Sequence, residues 1–174
     1  MSATVSTPTP GGWLRVWLLG APHQIIRSAA GSPYLLRWCV LPHNSFLNVY
    51  LHKFVGSDEP VPHDHPWPFF SIVLGRCYIE VTDAGRLWRG PLSFAFRDAR
   101  FNHFVELLRD RRGREIPCWT IVITGPRCRA WGFWCPRVVG PAQFIPWQEF
   151  DAGGCGEPAD TTAHEGSPVN REEH

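Results

Sequence analysis

The sequence predicts an all-β fold, a sandwich or a barrel, from three observations. Short segments rich in aromatic and β-branched residues recur at intervals of roughly ten residues. Turn-forming residues separate these segments, as in Asp83-Ala84-Gly85 and Gly125-Pro126. No segment between them carries a sustained 3.6-residue apolar stripe, which an amphipathic helix needs. Regular short strands without helices between them are typical of β-sandwiches and β-barrels.

The folded body is predicted to span residues 13–150, between two disordered tails. Residues 1–12 are rich in Ser, Thr, Pro and Gly, and residues 151–174 contain six acidic residues and one basic residue. Neither segment has enough large apolar side chains to offset the entropy lost on ordering. At the start of the body, residues 13–30 fit one short helix ending near Gly31. The 138 residues of the body suffice for a single domain with its own core.

Strands follow that first segment in the order that their composition predicts. The longest, 46–55, has aromatic and β-branched residues throughout and no helix breaker inside it. The predicted strands are residues 46–55, 69–75, 77–82, 91–96, 104–108, 118–124 and 130–135.

Composition and charge exclude several classes of protein. The chain has 17 Lys+Arg against 16 Asp+Glu, so a net charge of +1 gives no reason to expect nucleic-acid binding. No apolar run approaches the ~18 residues of a membrane-spanning helix. A phosphate-binding loop, a nucleophile elbow and a dinucleotide fingerprint are all missing from the sequence. The six cysteines form no C-x-x-C pair and the start does not resemble a secretory signal, which predicts reduced thiols and a cytoplasmic location.

The histidines carry the strongest chemical signal in the chain. His63 and His65 stand two residues apart, so on an extended chain both imidazoles project from the same face and reach one metal ion. His103 lies at the start of another predicted strand and is a third candidate ligand. Neutral imidazole binds iron, zinc, nickel, copper or manganese, so the ligand type leaves the metal open. The alternative is that His63 and His65 only form hydrogen bonds in a Pro-rich turn.

Two segments resemble the motifs of the cupin superfamily. Residues 56–75, with His63-Asp64-His65, resemble its first motif, and residues 89–103 resemble its second. More narrowly, the HDHPW segment and the strands after it resemble a group of small, largely uncharacterised cupin-like proteins of bacteria and phages, over about residues 33–150. The resemblance implies a double-stranded β-helix (jelly-roll) barrel with His63, His65 and His103 binding one divalent metal in its interior. It also implies a homodimer formed through the outer sheets.

The chain departs from the usual cupin motifs at two places. Phe69 and Phe70 occupy the positions where the first motif normally has a Glu, and Asp98 and Arg100 replace the Pro and Gly that precede the second motif's His. The resemblance then implies a three-histidine site completed by water or substrate. Three-histidine sites occur in cupins similar to the thiol dioxygenases. A 2-oxoglutarate oxygenase is disfavoured, because the order His-x-carboxylate is absent from His63-Asp64-His65.

Three further residues are candidates for catalysis: His52, Trp67 and Arg100. His52 either points inward as a base or extra ligand, or stacks on the barrel surface. Trp67 stands two residues after His65, whereas the other tryptophans on strands are expected in the core. Arg100 either pairs with Asp98 at the barrel rim or binds an acidic substrate, and the rim pair is favoured.

Asp64 points away from its two neighbours by the alternation of an extended chain. We therefore expect it to fix the loop or orient a histidine, not to bind metal.

The leading interpretation is a mononuclear metal-dependent enzyme acting on a small polar molecule, similar to a dioxygenase. Iron is the favoured metal, with zinc, nickel and manganese as alternatives. Two other functions stay open at this point. One is a non-catalytic cupin that binds a small molecule or senses metal, and the other is a metal-free sugar isomerase or epimerase with His63 or His103 as base. The expected partners are a small-molecule ligand and a second copy of the chain, without nucleic acid or membrane.

Overall fold

The computed structural model describes residues 5–28, 30–150 and 155. Within these residues the chain forms, in order, β1 (Val5–Pro8), α1 (Trp13–Leu18), β2 (Gln24–Arg27), β3 (Pro33–Cys39), β4 (Asn48–Phe54), β5 (Phe69–Gly75), β6 (Tyr78–Thr82), β7 (Gly85–Arg89), β8 (Phe94–Arg97), β9 (Phe104–Leu107), β10 (Cys118–Thr124), β11 (Gly132–Cys135) and β12 (Gln143–Pro146). The predicted all-β fold is confirmed.

The strands form three antiparallel sheets. Seven strands make the largest sheet, in the order β1-β2-β3-β4-β10-β5-β8, and β7-β6-β9 and β11-β12 make the smaller ones. The first two sheets face each other across a core to which the large sheet contributes Val73 and Cys118 and the smaller one Tyr78, Val105 and Leu107. Together they enclose a barrel of the jelly-roll kind.

The central strands of the large sheet turn polar side chains inward. Burial alternates along β4, β5 and β10, as expected of strands with one face inside a barrel. The buried set on these strands includes His52, Ser71 and Thr120, whereas Leu51, Ile72 and Ile121 lie on the more exposed face. A barrel interior lined in this way needs partners for its polar groups, and it can hold a polar ligand.

The N-terminal part of the body contains the predicted helix in a shorter form. Helix α1 ends at Leu18, because Gly20, at φ +66°, donates its N–H to the carbonyl of Trp17 and turns the chain. The prediction of an end near Gly31 was wrong, since Ile25 and Ile26 instead place this segment in β2. No helix in the described part of the chain has the length and apolar character needed to cross a membrane.

The predicted tails fall only partly on described residues. In the first, β1 pairs antiparallel with β2, so the segment predicted as disordered contains a strand whose backbone groups find partners. Composition did not indicate this strand, because β1 forms through pairing with an existing sheet edge. The second tail lies outside the described residues except for Cys155.

Two predicted strands have the observed bounds, and the others begin or end at different residues. β5 and β10 coincide with the predictions of 69–75 and 118–124. β8 begins only at Phe94, because Leu92 adopts a positive φ of 64° in a turn that Ser93 closes on Gly90. β7 was not predicted, since it lies between turn residues and is mostly exposed.

The expectation of reduced thiols is wrong for one pair of cysteines. Cys135 on β11 forms a disulfide with Cys155. The bond joins a chain separation of 20 residues and seats Cys155 against the buried cluster of Phe133, Cys135 and Phe150. Cys39, Cys77, Cys118 and Cys128 are free.

Candidate metal centre

The structure brings together the three histidines that the sequence singled out. The ligand-capable nitrogens of His63, His65 and His103 all lie within 4.8 Å of one another. Nε2 of His65 lies 2.9 Å from Nε2 of His103. His103 is buried and the other two are half-buried, so the cluster lies at a wall of the barrel interior.

Backbone pairing fixes the two segments that carry these histidines. The His63 N–H donates to the His103 carbonyl at 3.0 Å, and the His103 N–H donates to the His63 carbonyl at 3.1 Å. The His65 N–H donates to the Ala99 carbonyl at 3.1 Å. The ligand set is therefore positioned by main-chain hydrogen bonds, which hold geometry better than a free loop does.

Asp64, between the two histidines of the first motif, is fully buried and points away from them. Its carboxylate accepts from the Gly132 N–H at 3.0 Å, from the Trp134 indole N–H at 3.0 Å, and from the Arg129 guanidinium. A side chain on Gly132 would meet the Ile145 carbonyl oxygen, so this close approach needs glycine. Asp64 fixes the loop against β11, which confirms the structural role predicted for it.

Glu80 on β6 supplies a carboxylate that the sequence analysis did not identify. Its Oε1 lies 2.9 Å from Nδ1 of His103, and its side chain is 2% exposed. Arg89 and Arg97 both donate to the same carboxylate. Because a carboxylate only accepts, His103 carries its proton on Nδ1 and, when neutral, leaves the Nε2 lone pair facing the cluster.

The electrostatics of the site favour neutral imidazoles at His63 and His65 beside an ionised Glu80 carboxylate. Burial, with a smaller effect of His103, lowers the pKa of His63 to about 3, and burial also holds the pKa of His65 well below its usual range. Burial alone would raise the pKa of Glu80, but hydrogen bonds from His103, Arg97 and Arg89 outweigh it and lower that pKa far below the ordinary value.

The donor set fits one transition-metal ion. Two imidazole nitrogens bound to the same ion at about 2.1 Å lie about 3 Å apart when they subtend about 90°, which matches the distance between His65 and His103. Metal-bound histidines usually donate their other N–H to a carboxylate, as His103 does to Glu80. The cluster therefore suits a divalent metal, and three neutral ligands would leave positions open for water or substrate.

A cavity of about 450 Å³ opens beside the cluster. All three histidines line it, together with His52 and Trp67. Its size is that of a small-molecule site. Phe69, which stands where the cupin motif normally has Glu, packs the edge of its ring on His65 at 4.7 Å.

His52 points inward, which decides between the two orientations considered for it. Its ring is 6% exposed, stacks on Tyr50 and accepts a 2.9 Å hydrogen bond at Nε2 from Nε of Arg37. Burial, helped by the charge of Arg37, holds the pKa of His52 well below its usual range. His52 is thus a neutral imidazole of the cavity wall.

Of the two remaining candidate residues, Trp67 lies at the site and Arg100 lies outside it. The Trp67 ring lies against His65 at 6.0 Å, and its buried indole N–H has no acceptor among the described residues. Arg100 is exposed and lies outside the cavity lining, and Asp98 accepts from its backbone N–H at 2.9 Å without forming the predicted rim ion pair. A role for Arg100 at this site is not supported by its position.

Two charged residues that contact the predicted histidines were not predicted from the sequence. They are Glu80, beside His103, and Arg37, beside His52. The signal available for Glu80 was a carboxylate inside the otherwise apolar run of β6. Arg37 similarly interrupts the apolar run of β3. A charged residue at an inward position of a strand is rarely tolerated without a partner or a ligand.

Comparison with known proteins gives structural likeness only. No family model and no curated protein matches the chain. Among solved structures, KdgF from Halomonas sp. is 17% identical over 56% of this chain and 84% of its own, with a TM-score of 0.44. A cupin superfamily protein from Desulfitobacterium hafniense is 12% identical over 53% and 77%, with a TM-score of 0.42. The polyketide cyclase RemF from Streptomyces resistomycificus is 17% identical over 67% and 75%, with a TM-score of 0.45.

These three solved structures are all less than 25% identical to this chain. Because their TM-scores are below 0.5, the function proposed below is argued from this chain's own residues.

Proposed function

We propose that the protein is a mononuclear metal-dependent enzyme, dioxygenase-like and loaded with iron, that acts on a small polar molecule in the barrel cavity. The observation that carries this proposal is the convergence of three histidines on one point of the cavity wall, with Glu80 hydrogen-bonded behind one of them. A purely structural cluster does not need three imidazoles together at the wall of a cavity.

Each residue has a distinct role in this proposal. His63, His65 and His103 hold the metal, which when bound supplies an electrophilic centre able to polarise substrate or activate dioxygen. Glu80 keeps His103 in the tautomer that presents Nε2 to the ion. The indole N–H of Trp67 donates to a ligand in the cavity, since it has no acceptor among the described residues.

One observation favours a second candidate, a metal-free isomerase or epimerase. The 2.9 Å contact between His65 and His103 is also the length of a hydrogen bond between two imidazoles. Such a pair could move a proton without metal. A non-catalytic small-molecule-binding or metal-sensing protein would use the same cavity and differ only in lacking turnover.

Oxygen consumption tests the proposal. Protein loaded separately with iron, manganese, nickel or zinc would be assayed on a panel of small thiols, phenols and carboxylic acids. We expect substrate-dependent oxygen uptake by the iron form, lost in the His63→Ala/His65→Ala variant and retained in His43→Ala, a control that removes an exposed histidine at the same cavity. Metal binding without turnover supports the binder, and turnover by metal-free protein supports the isomerase.

The homodimer and the cytoplasmic location are also proposals, carried by the sequence. The disulfide between Cys135 and Cys155 is the kind of bond that persists in oxidising compartments, so fractionation of cells producing the protein is the relevant measurement for location.

A further inference from the structure

A row of polar side chains crosses the inner face of the large sheet at one level. In register, Gln24 on β2 faces Arg37 on β3, Arg37 faces His52 on β4, and His52 faces Thr120 on β10. All four line the same cavity as the histidine cluster. We call these four residues the polar row.

Arg37 is the charged member of the polar row, and three contacts hold its guanidinium group in place. Nη1 donates to Oε1 of Gln24 at 3.1 Å, Nε donates to His52 at 2.9 Å, and the guanidinium carbon lies 4.7 Å from the centre of the Tyr50 ring. These partners are all neutral. Among the described residues no carboxylate forms an ion pair with Arg37, and none accepts from its Nη2.

An arginine oriented inside a cavity without a counter-charge is costly unless a ligand supplies one. Arg89, Arg97 and Arg129 also reach into the protein, and each pairs with Glu80 or Asp64. Arg37 therefore differs from the other inward arginines, because the acceptor that would complete it is not part of the described chain.

Thr120 gives an independent indication at the neighbouring position. Its side chain is 1% exposed, and its Oγ1 is buried without a hydrogen-bond partner among the described residues. A native protein rarely leaves a buried hydroxyl unsatisfied, and a bound ligand is one of the ways to satisfy it. Thr120 and Arg37 line the same cavity.

We propose that the polar row binds the carboxylate of a small monocarboxylic acid, with Arg37 as the charged donor and Thr120 as a second donor. The proposal deepens the proposed function and rests on it for one point only, that the rest of the ligand reaches the histidine cluster. Carboxylate recognition itself needs no metal.

The cavity's other residues favour a single negative charge over a phosphate or a dicarboxylate. Besides Arg37, the cavity lining contains one exposed arginine, Arg127, and three carboxylates, so the lining as a whole opposes a second negative charge. The carboxylates are those of Asp58, Glu59 and Glu80. The planar fork of one arginine matches the two oxygens of a carboxylate. Phe69, Trp131 and Phe133 line the cavity as well, and they suit an apolar body joined to the carboxylate.

Calorimetric titration of metal-free protein tests carboxylate binding directly. The probes are acetate, hexanoate and benzoate, each beside its uncharged primary amide, with phenylphosphonate as the dianionic comparison. We expect at least one acid to bind more tightly than its amide and than phenylphosphonate. In Arg37→Gln the dissociation constant for that acid should rise at least about tenfold, and in Thr120→Val by about three- to tenfold.

Arg100→Gln is the matched control, because it removes an exposed arginine outside the cavity, and its affinity should equal that of the wild type. Circular dichroism and metal content of each variant separate binding from folding, and Thr120→Val keeps the test informative if Arg37→Gln does not fold. Amides that bind as tightly as acids, undiminished acid binding in both variants, or no binding of any acid to wild-type protein would overturn the inference. Wild-type protein that binds an acid but takes up no metal would leave this inference standing and contradict the metal centre, so the two proposals fail separately.

Discussion

Glu80 is the residue on which the geometry of the candidate metal centre depends most. It is a buried carboxylate that satisfies His103, Arg89 and Arg97 together. Buried ion pairs of this kind add little net stability, yet removing one partner leaves the others uncompensated in a poorly solvated place. Glu80 therefore couples the stability of the barrel to the orientation of one histidine.

Replacing Glu80 by Gln should affect both properties. We expect the free energy of unfolding in urea to fall by about 3–5 kcal/mol, because Arg97 loses its counter-charge, and the affinity for metal to fall by about 10- to 100-fold. Glu106→Gln is the control, since Glu106 forms an exposed ion pair with Arg86 on the same small sheet and should contribute about 1 kcal/mol or less. Equal effects of the two substitutions would contradict the role assigned to Glu80.

Asp58 should make stability depend on pH in the weakly acidic range. Burial raises the pKa of Asp58 to about 6, although a hydrogen bond from the Val105 N–H partly opposes this. The folded state thus holds the proton more tightly than the unfolded chain. Its stabilising effect is complete below the ordinary pKa of about 4 and is lost as the pH rises through about 6.

Asp58→Asn keeps an acceptor for Val105 but cannot ionise. We expect the wild type to lose stability relative to this variant between pH 4 and 6, as about 2 kcal/mol of differential unfolding free energy. Thermal unfolding of both proteins across that range measures the difference. Parallel stability curves would show that the Asp58 pKa is not raised.

At the level of single residues, the sequence predicts the candidate metal ligands but not the charged residues that hydrogen-bond to the histidines. The spacing of His63 and His65 is a local pattern, and an extended chain converts it directly into a shared direction. Glu80 and Arg37 act through contacts across sheets and strands, and no local pattern relates them to the histidines. Arg100 illustrates the opposite error, because closeness in sequence to His103 did not bring its side chain into the cavity.

At the scale of elements, β5 and β10 were predicted from composition, whereas β1, β2, β3, β7 and β12 were not predicted. β5 and β10 are rich in β-branched and aromatic residues and lie in the interior of the large sheet. β1 and β7 are edge strands, and β7 is mostly exposed, so pairing and not composition determines them. Cys155, which lies beyond the predicted body, is joined to β11 by the disulfide.

The disulfide between Cys135 and Cys155 should stabilise the buried cluster of Phe133, Cys135 and Phe150. Cys155→Ser is expected to lower the free energy of unfolding by about 2–4 kcal/mol under oxidising conditions, by releasing a constraint on the unfolded chain. Cys128→Ser, at an exposed free thiol, should leave stability unchanged. Identical unfolding curves for Cys155→Ser and the wild type, with and without reductant, would contradict the bond.

At the scale of the whole molecule, the outer face of the large sheet is conspicuously apolar. Phe94 and Phe96 on its edge strand are 70% and 67% exposed, and Phe70 packs beside Phe94. Exposed apolar patches of this kind are typical of association surfaces. The predicted homodimer would bury this face.

Phe94→Lys/Phe96→Lys should therefore be monomeric where the wild type is dimeric. Analytical ultracentrifugation over a range of concentrations measures the assembly state, and Leu18→Lys, at an exposed position on α1, is the control for a general solubility effect. A wild-type protein that sediments as a monomer at every concentration would contradict the predicted homodimer.

The central claim, a three-histidine metal centre, is tested most directly by elemental analysis of untagged protein. We expect about one transition-metal ion per chain in the wild type and in His43→Ala, and none in folded His63→Ala/His65→Ala, with iron as the element. Protein that stays free of metal after reconstitution, or a double variant that keeps its metal, would contradict it.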